Sequence, residues 1–235
     1  SNIKSIFILF KLLVNKYELI IDLQNSQRTT FYNLFFRIFN FSKISSSRPF
    51  AHYRYKIPPQ GDEKVIKGLF NQLNLIGVKE SDNCNYEWLK VKIQDKIKLP
   101  LVLLIPGVSK NKDYKQWPPD KFARLAEYFQ EKGFSICVIG TKNDMKSIKP
   151  ILKRCKNVLN KIDKSPPKII YSLALKSSVI VTNDSGPGHL AGLSNNTLIC
   201  LANDNKISSS NLPSGNHIYN LLSRSVKKIE VEQVI

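Results

Sequence analysis

From residue 101 onward the hydrophobic positions keep a regular rhythm. Short apolar runs at 101–105, 134–139, 157–159, 179–182 and 197–201 predict buried strands. Between them, apolar residues recur at helical spacing over 120–132, 144–154, 167–176 and 187–193, and a last short helix is expected over 230–235. Gly133 closes the first of these helices and Asn143 is a candidate cap for the second. Residues 106–118 read as a loop. Strands that alternate with helices through short connections predict a parallel sheet covered on both faces.

The earlier part of the chain is less regular. Ile3, Ile6, Phe7, Phe10, Leu13 and Val14 stand at helical spacing, 18–23 reads as a buried strand, and 30–41 as a helix. Ser, Arg and Pro at 45–59 suggest a loop, and 62–76 a helix closed by Gly77. No pattern is sustained across 79–100. The domain boundary is placed there, dividing the chain into 1–90 and 91–235.

The chain has 235 residues, a hydrophobic share of 42% and a net charge of +18. A core of ordinary size is available, and disorder is excluded as the default. The charge favours anionic partners without choosing among nucleic acid, membrane and phosphate-rich substrates; solvated surface lysines would also explain it. Cys84, Cys137, Cys155 and Cys200 form no CxxC pair and have no His at ligand spacing, so no metal and no cofactor is expected. Cys137 and Cys200 lie in apolar runs and read as core thiols in a reducing cytoplasm. The apolar run from Ile3 to Val14 contains Lys4 and Lys11 and is too short to span a membrane. Ser1 is not an initiator Met, which leads us to expect a longer or processed precursor.

Two loops follow strands at their carboxyl ends, where ligands of parallel sheets bind. One is Asn183-Asp184-Ser185-Gly186-Pro187-Gly188-His189, which opens a helix. Gly186 and Gly188 allow a tight turn and close approach, Ser185 offers a hydroxyl, and the helix start favours an anion. Read blandly, Asp184 or Ser185 is an N-cap and His189 a structural residue. The other loop runs from Pro106-Gly107-Val108-Ser109 to Lys115-Gln116-Trp117-Pro118. A Lys fixed beside a packed Trp suits a diphosphate, while a solvated basic loop is the plain alternative. Lys142, Lys146, Lys149 and Lys153 line one helix face and read as its wet side. The aromatic stretch from Phe31 to Phe41, near Arg28, Arg37 and Lys43, reads as a core helix; contact with a lipid-linked acceptor or an anionic membrane is the alternative.

The order PG-x-S…K-x-WP and then NDSGPGHLAGL resembles glycosyltransferase family 9, the heptosyltransferases of lipopolysaccharide synthesis. The segment YELIIDLQNSQRTTFYNLFF is similar to a strand and helix of that family's first domain. The resemblance spans Tyr17 to Ile235. It implies an α/β, GT-B-like fold of two facing Rossmann-like, doubly wound domains, the N-terminal one incomplete. It implies an inverting transferase that moves a sugar, a heptose, from a nucleotide diphosphate donor to a lipopolysaccharide core or similar glycan. The implied partners are an ADP-heptose-like donor, a lipid-linked glycan acceptor and an anionic membrane at the cytoplasmic face of the inner membrane. Carried over by position, Lys115 and Asp184 are the catalytic candidates: Lys115 neutralises donor phosphate and Asp184 touches the transferred sugar. Ser185, Gly186 and His189 hold the pyrophosphate, Ser109 adds a hydroxyl in the phosphate loop, and Asp144 meets the ribose.

Two features depart from that family. Its opening strand and Gly-Asp turn, whose Asp is the candidate base, have no counterpart here. Its Phe-Gly-Pro-like turn is replaced by Ala202-Asn203-Asp204. A second reading is therefore a donor-binding module unable to catalyse. A third, a nucleic-acid-binding protein, rests on charge alone; without a recognised motif, nucleic acid is not an expected partner.

Overall fold

A computed structural model describes residues 11–12, 14–79 and 84–235. The chain forms two compact units, Ser1–Cys84 and Asn85–Ile235. The helical spacing noted over 3–14 lies almost wholly outside the described residues.

In the first unit, three strands, β1 (Leu19–Ile21), β2 (Lys43–Ser46) and β3 (Tyr53–Arg54), pair in parallel in the order β1-β2-β3. Helix α1 (Gln27–Phe39) starts at Ser26, whose Oγ accepts from Thr29 N–H at 3.3 Å. Helix α2 (Val65–Asn74) is followed by Gly77 at φ +82°, a backbone that favours glycine.

Three expectations fail in this unit. The stretch 45–59 is not all loop: it contains β3 and the end of β2, which a hydrophobic pattern does not reveal because the buried Ser45 and Ser46 are polar. Strand β1 is at the sheet edge, and its Leu19 and Ile21 are largely exposed rather than buried. Helix α1 is not a core helix in the expected sense: Phe31, Phe35, Ile38 and Phe39 face outward while Thr29, Asn33 and Phe36 are buried.

The second unit holds six parallel strands: β4 (Leu101–Ile105), β5 (Ser135–Gly140), β6 (Leu159–Ile162), β7 (Val179–Asn183), β8 (Leu198–Asn203) and β9 (Ile218–Ser223). Their order is β6-β5-β4-β7-β8-β9. The helices between them are α3 (Pro119–Glu131), α4 (Met145–Arg154), α5 (Pro167–Ala174), α6 (Gly186–Gly192) and α7 (Lys206–Ser209).

Strand β4 shows why both faces need cover. Val102 and Leu104 pack with Trp117, Phe122, Leu125, Ile148 and Ile151 on one side. Leu101, Leu103 and Ile105 pack with Ile170, Leu173, Ala174 and Ala191 on the other. All five residues are buried, so the strand reads as a continuous apolar run rather than an alternating one. Strand β9 and helix α7 escaped the sequence reading, since β9 is an edge strand with a mixed pattern. The last turn, Val231–Gln233, is 3-10 rather than α-helical. Helix α4 is preceded not by an Asn143 cap but by a capping box of Thr141 and Asp144. Among the described residues no helix is long and apolar enough to cross a membrane.

Candidate active site

The strand order fixes where a ligand would sit. From β4 the chain winds outward to β5 and β6, then returns to β7 on β4's other side. The loops after β4 and β7 therefore diverge at the switch point and open a crevice beyond the strand ends. A cavity of about 1100 Å³ lies there. Gly107, Ser109, Lys110 and Gln116 line it from the loop after β4, and Thr141, Asp144 and Lys146 from the stretch after β5. Asp163 and Ser165 follow β6, and Ser185, Gly186 and Pro187 follow β7.

The candidates separate into two groups. Ser109, Asp144, Ser185 and Gly186 line the cavity. Lys115, Asp184 and His189 are outside its lining; Lys115 and Asp184 are next in sequence to the lining residues Gln116 and Ser185. Lys115 Nζ donates directly to Asp184 Oδ2, and both side chains are largely buried. His189 Nε2 is 4.0 Å from Asp184 Oδ1. The two loops thus meet through an ion pair.

Several residues that sequence reasoning passed over hold this meeting in place. Asn183, fully buried, donates from Nδ2 to Pro106 O at 2.8 Å and accepts at Oδ1 from Trp117 N–H at 3.0 Å. One amide thereby ties both ends of the Lys115 loop to β7. Gln116 Nε2 donates to Ser147 Oγ on α4. Where the sequence has Ala202-Asn203-Asp204, strand β8 runs on to Asn203, whose Nδ2 donates to Tyr114 O at 2.9 Å. A buried Asn ending an apolar strand was the available signal for Asn183, because its amide must find partners. The Thr141-x-x-Asp144 spacing was the signal for the capping box.

Asp144 is held tightly. Its Oδ2 accepts from Thr141 N–H and Oγ1–H, each at 2.8 Å. A Cβ on Gly107 would meet its carboxylate at 2.7 Å, so glycine lets the loop lie against it. Lys142, Lys146, Lys149 and Lys153 are all exposed, as a wet face should be, yet Lys146 also lines the cavity.

Ser185 caps α6, its Oγ accepting from Gly188 N–H at 3.2 Å; the hydroxyl proton is left for Thr182 Oγ1, 3.3 Å away, or for a ligand. Neither glycine is at positive φ. Gly188 is required by packing: a Cβ there would lie 2.6 Å from Thr182 Oγ1. At Gly186 a Cβ would meet nothing within 4 Å. We expect Gly188→Ala to destabilise the second unit by about 1–3 kcal/mol. Gly186→Ala should stay within about 0.5 kcal/mol of the parent. Urea unfolding of both variants checks this, and equal losses would contradict it.

Burial lowers the His189 pKa below its ordinary 6.5; Asp184 opposes the shift and Lys115 adds to it. In the window between the ordinary and the folded value the unfolded chain binds a proton that the folded chain refuses, so stability from this group falls as pH drops. Lys115→Ala should raise the His189 pKa and Asp184→Asn should lower it. NMR titration of the imidazole reads both, and a fall in the Lys115 variant would refute the coupling. Burial pushes Cys137 and Cys200 up to about 12, as suits core thiols. Among the described residues no cluster of three or more His, Cys, Asp or Glu is placed to hold a metal.

A family model for glycosyltransferase family 9 (heptosyltransferase) matches residues 6–206. The chain belongs to glycosyltransferase family 9. Lipooligosaccharide heptosyltransferase 2 of Haemophilus ducreyi is 33% identical to it over 104 residues, 41% of this chain. That match spans only 29% of the curated relative's length. Among solved structures, the Escherichia coli ADP-heptose lps heptosyltransferase II matches with a TM-score of 0.70 and 16% identity, over 96% of this chain and 76% of that one. A family 9 glycosyl transferase from Veillonella parvula gives 0.74 and 17%, over 97% and 74%. Escherichia coli heptosyltransferase WaaC with ADP gives 0.74 and 12%, over 99% and 75%. The GT-B-like α/β fold implied by the sequence motifs is the fold this family 9 chain shares with them.

Proposed function

We propose that this family 9 chain transfers a heptose, with inversion, from an ADP-linked donor to a lipopolysaccharide-type glycan acceptor. One observation supports this reading above the others: Lys115 and Asp184, from loops on opposite sides of the switch point, join beside a cavity that four strand-end loops line. The solved relative WaaC has been seen with ADP and with ADP-2-deoxy-2-fluoro heptose.

The chemistry follows from the placement. A nucleoside diphosphate leaving group gains negative charge as its bond to the anomeric carbon breaks. In this reading Lys115 meets that charge, and Ser185 and the backbone at Gly186 donate hydrogen bonds to it. Asp184 has a second task, because the donor must share Lys115 with it. In the proposed complex Asp184 turns an oxygen to the sugar hydroxyls while Lys115 turns to phosphate. Asp144, Asp163 and Thr141 supply polar groups for a ribose at the other side of the cavity. An attacking acceptor hydroxyl loses its proton to a base outside these residues.

Neither the donor-binding module nor the nucleic-acid reading is supported by the family or by the solved structures. Incubation of the full chain with ADP-heptose and a truncated lipopolysaccharide acceptor tests the proposal. Release of ADP with an inverted anomeric centre is expected. Retention of configuration, or no ADP release, overturns it.

A further inference from the structure

We propose that Asn183 is a positioning residue for Lys115, keeping the Lys115 loop in place when the Lys115–Asp184 pair opens for donor phosphate. The proposal rests on the transferase reading, which makes Lys115 the cation for that phosphate.

The last turn of chain out of β7 divides its work among neighbouring residues. Thr182 serves the opening of α6: its Oγ1 is 3.3 Å from Ser185 Oγ, and it fills the space that a Cβ on Gly188 would need. Asp184 takes the Lys115 ammonium. Asn183, between them, is fully buried and reaches both ends of the Lys115 loop. Its Nδ2 donates to Pro106 O at 2.8 Å, and its Oδ1 accepts from Trp117 N–H at 3.0 Å. Lys115 is therefore held twice from one strand end. Asp184 holds its ammonium, and Asn183 holds its main chain through Trp117.

An amide suits this place and its isosteres do not. Pro106 presents an acceptor and Trp117 a donor, and both residues are buried. The side chain between them must donate on one side and accept on the other. A carboxylate would set an oxygen against Pro106 O. A leucine of the same branched shape would leave both backbone groups without their partner, a state that buried backbone rarely tolerates. Gln116 Nε2 also faces Pro106 O, but at 3.5 Å it is a long contact beside the 2.8 Å bond.

The amide matters most when the donor is bound. Without donor, the ion pair and the amide both tie the loop to the end of β7. When phosphate draws the ammonium from Asp184, the first tie is lost. The Trp117 indole, bonded to Ile229 O at 2.8 Å, anchors one end of the loop to a different part of the unit. Asn183 joins both ends to β7, the strand that leads into Asp184 and the α6 opening. It thereby keeps Lys115 and the Ser185 region in one frame while negative charge develops between them. A shift of about 1 Å in such a group costs up to about 10²-fold in rate.

The test is a double-mutant cycle between Asn183 and Lys115 in the full chain, read as kcat for heptose transfer and as ADP affinity by calorimetry. Asn183→Leu keeps the branched shape and removes both hydrogen bonds. It should lower kcat by about 10–10²-fold where Lys115 is present. In the Lys115→Ala background the further loss should stay within about twofold. ADP affinity should fall with Lys115 present and hold steady without it. Urea unfolding checks that the variants are folded; Asn183→Ala, which leaves room for water beside the two backbone groups, gives the same direction should Asn183→Leu fail to fold. Unchanged kcat and ADP affinity in a folded Asn183 variant overturn the proposal. So does an equal fold-loss in both backgrounds, the mark of a residue that serves only the fold. A parent chain that binds ADP but transfers no heptose defeats the transferase reading alone, and the cycle on ADP affinity then decides for or against Asn183. A parent chain that binds no ADP overturns both.

Discussion

Lys115→Ala is expected to slow sugar transfer by about 10²–10³-fold, the usual cost of removing one fixed donor from a developing charge. It should also lower stability, because it strands a carboxylate. The Asp184 side chain is 7% exposed, and breaking a pair so placed costs up to about 3–5 kcal/mol where nothing relieves it. Here His189, 4.0 Å away, can protonate and take part of the load, so the loss should fall below that range. The double variant Lys115→Ala/Asp184→Asn removes the stranded charge without restoring the cation, and with it the proposed Asp184 contact to the sugar. Stability should largely return while transfer stays low. Recovery of transfer together with stability would mean that Lys115 serves only the fold. Urea unfolding and initial transfer rates on the same three proteins decide it.

Trp117→Ala is expected to be the most destabilising single change in the second unit, at about 3–5 kcal/mol. The Trp117 ring is fully buried and meets Phe122 edge-on at 4.9 Å between centroids. Its Nε1–H donates to Ile229 O at 2.8 Å, but Lys121 Nζ donates to the same carbonyl at 2.8 Å, so that oxygen keeps a partner in the variant. The cost is therefore the vacated volume rather than an orphaned acceptor. Trp117→Phe keeps much of that volume and should cost clearly less. A drop in urea midpoint as large for Phe as for Ala would show that the indole hydrogen bond, and not packing, dominates. Because Asn183 holds the Trp117 backbone, the looser loop should also weaken donor binding.

The sequence displayed the second unit well and the first unit poorly, for physical reasons. Fully buried parallel strands such as β4 need unbroken apolar runs, and those runs are visible without a structure. In the first unit the strand β2 is Lys-Ile-Ser-Ser, buried through serines, which no hydrophobic pattern reveals. Helix α1 was visible as a helix, but its inward face was misjudged, since periodicity locates an apolar stripe without saying whether core or another surface covers it. At the site, Lys115 and Asp184 stood out through their strand-end loops. Their direct pairing did not, because 69 residues separate them and only the return of the chain to β7 joins their loops. The bracing amides of Asn183 and Asn203 were hidden for the same reason: each partner is distant in sequence.

The most direct measurement is a crystal structure of the full chain soaked with ADP. The expected result is a diphosphate within hydrogen-bonding distance of Lys115 Nζ and of the backbone at Ser185 and Gly186, with the ribose toward Asp144. ADP bound away from the crevice between β4 and β7, or no ADP at millimolar concentration, would contradict it.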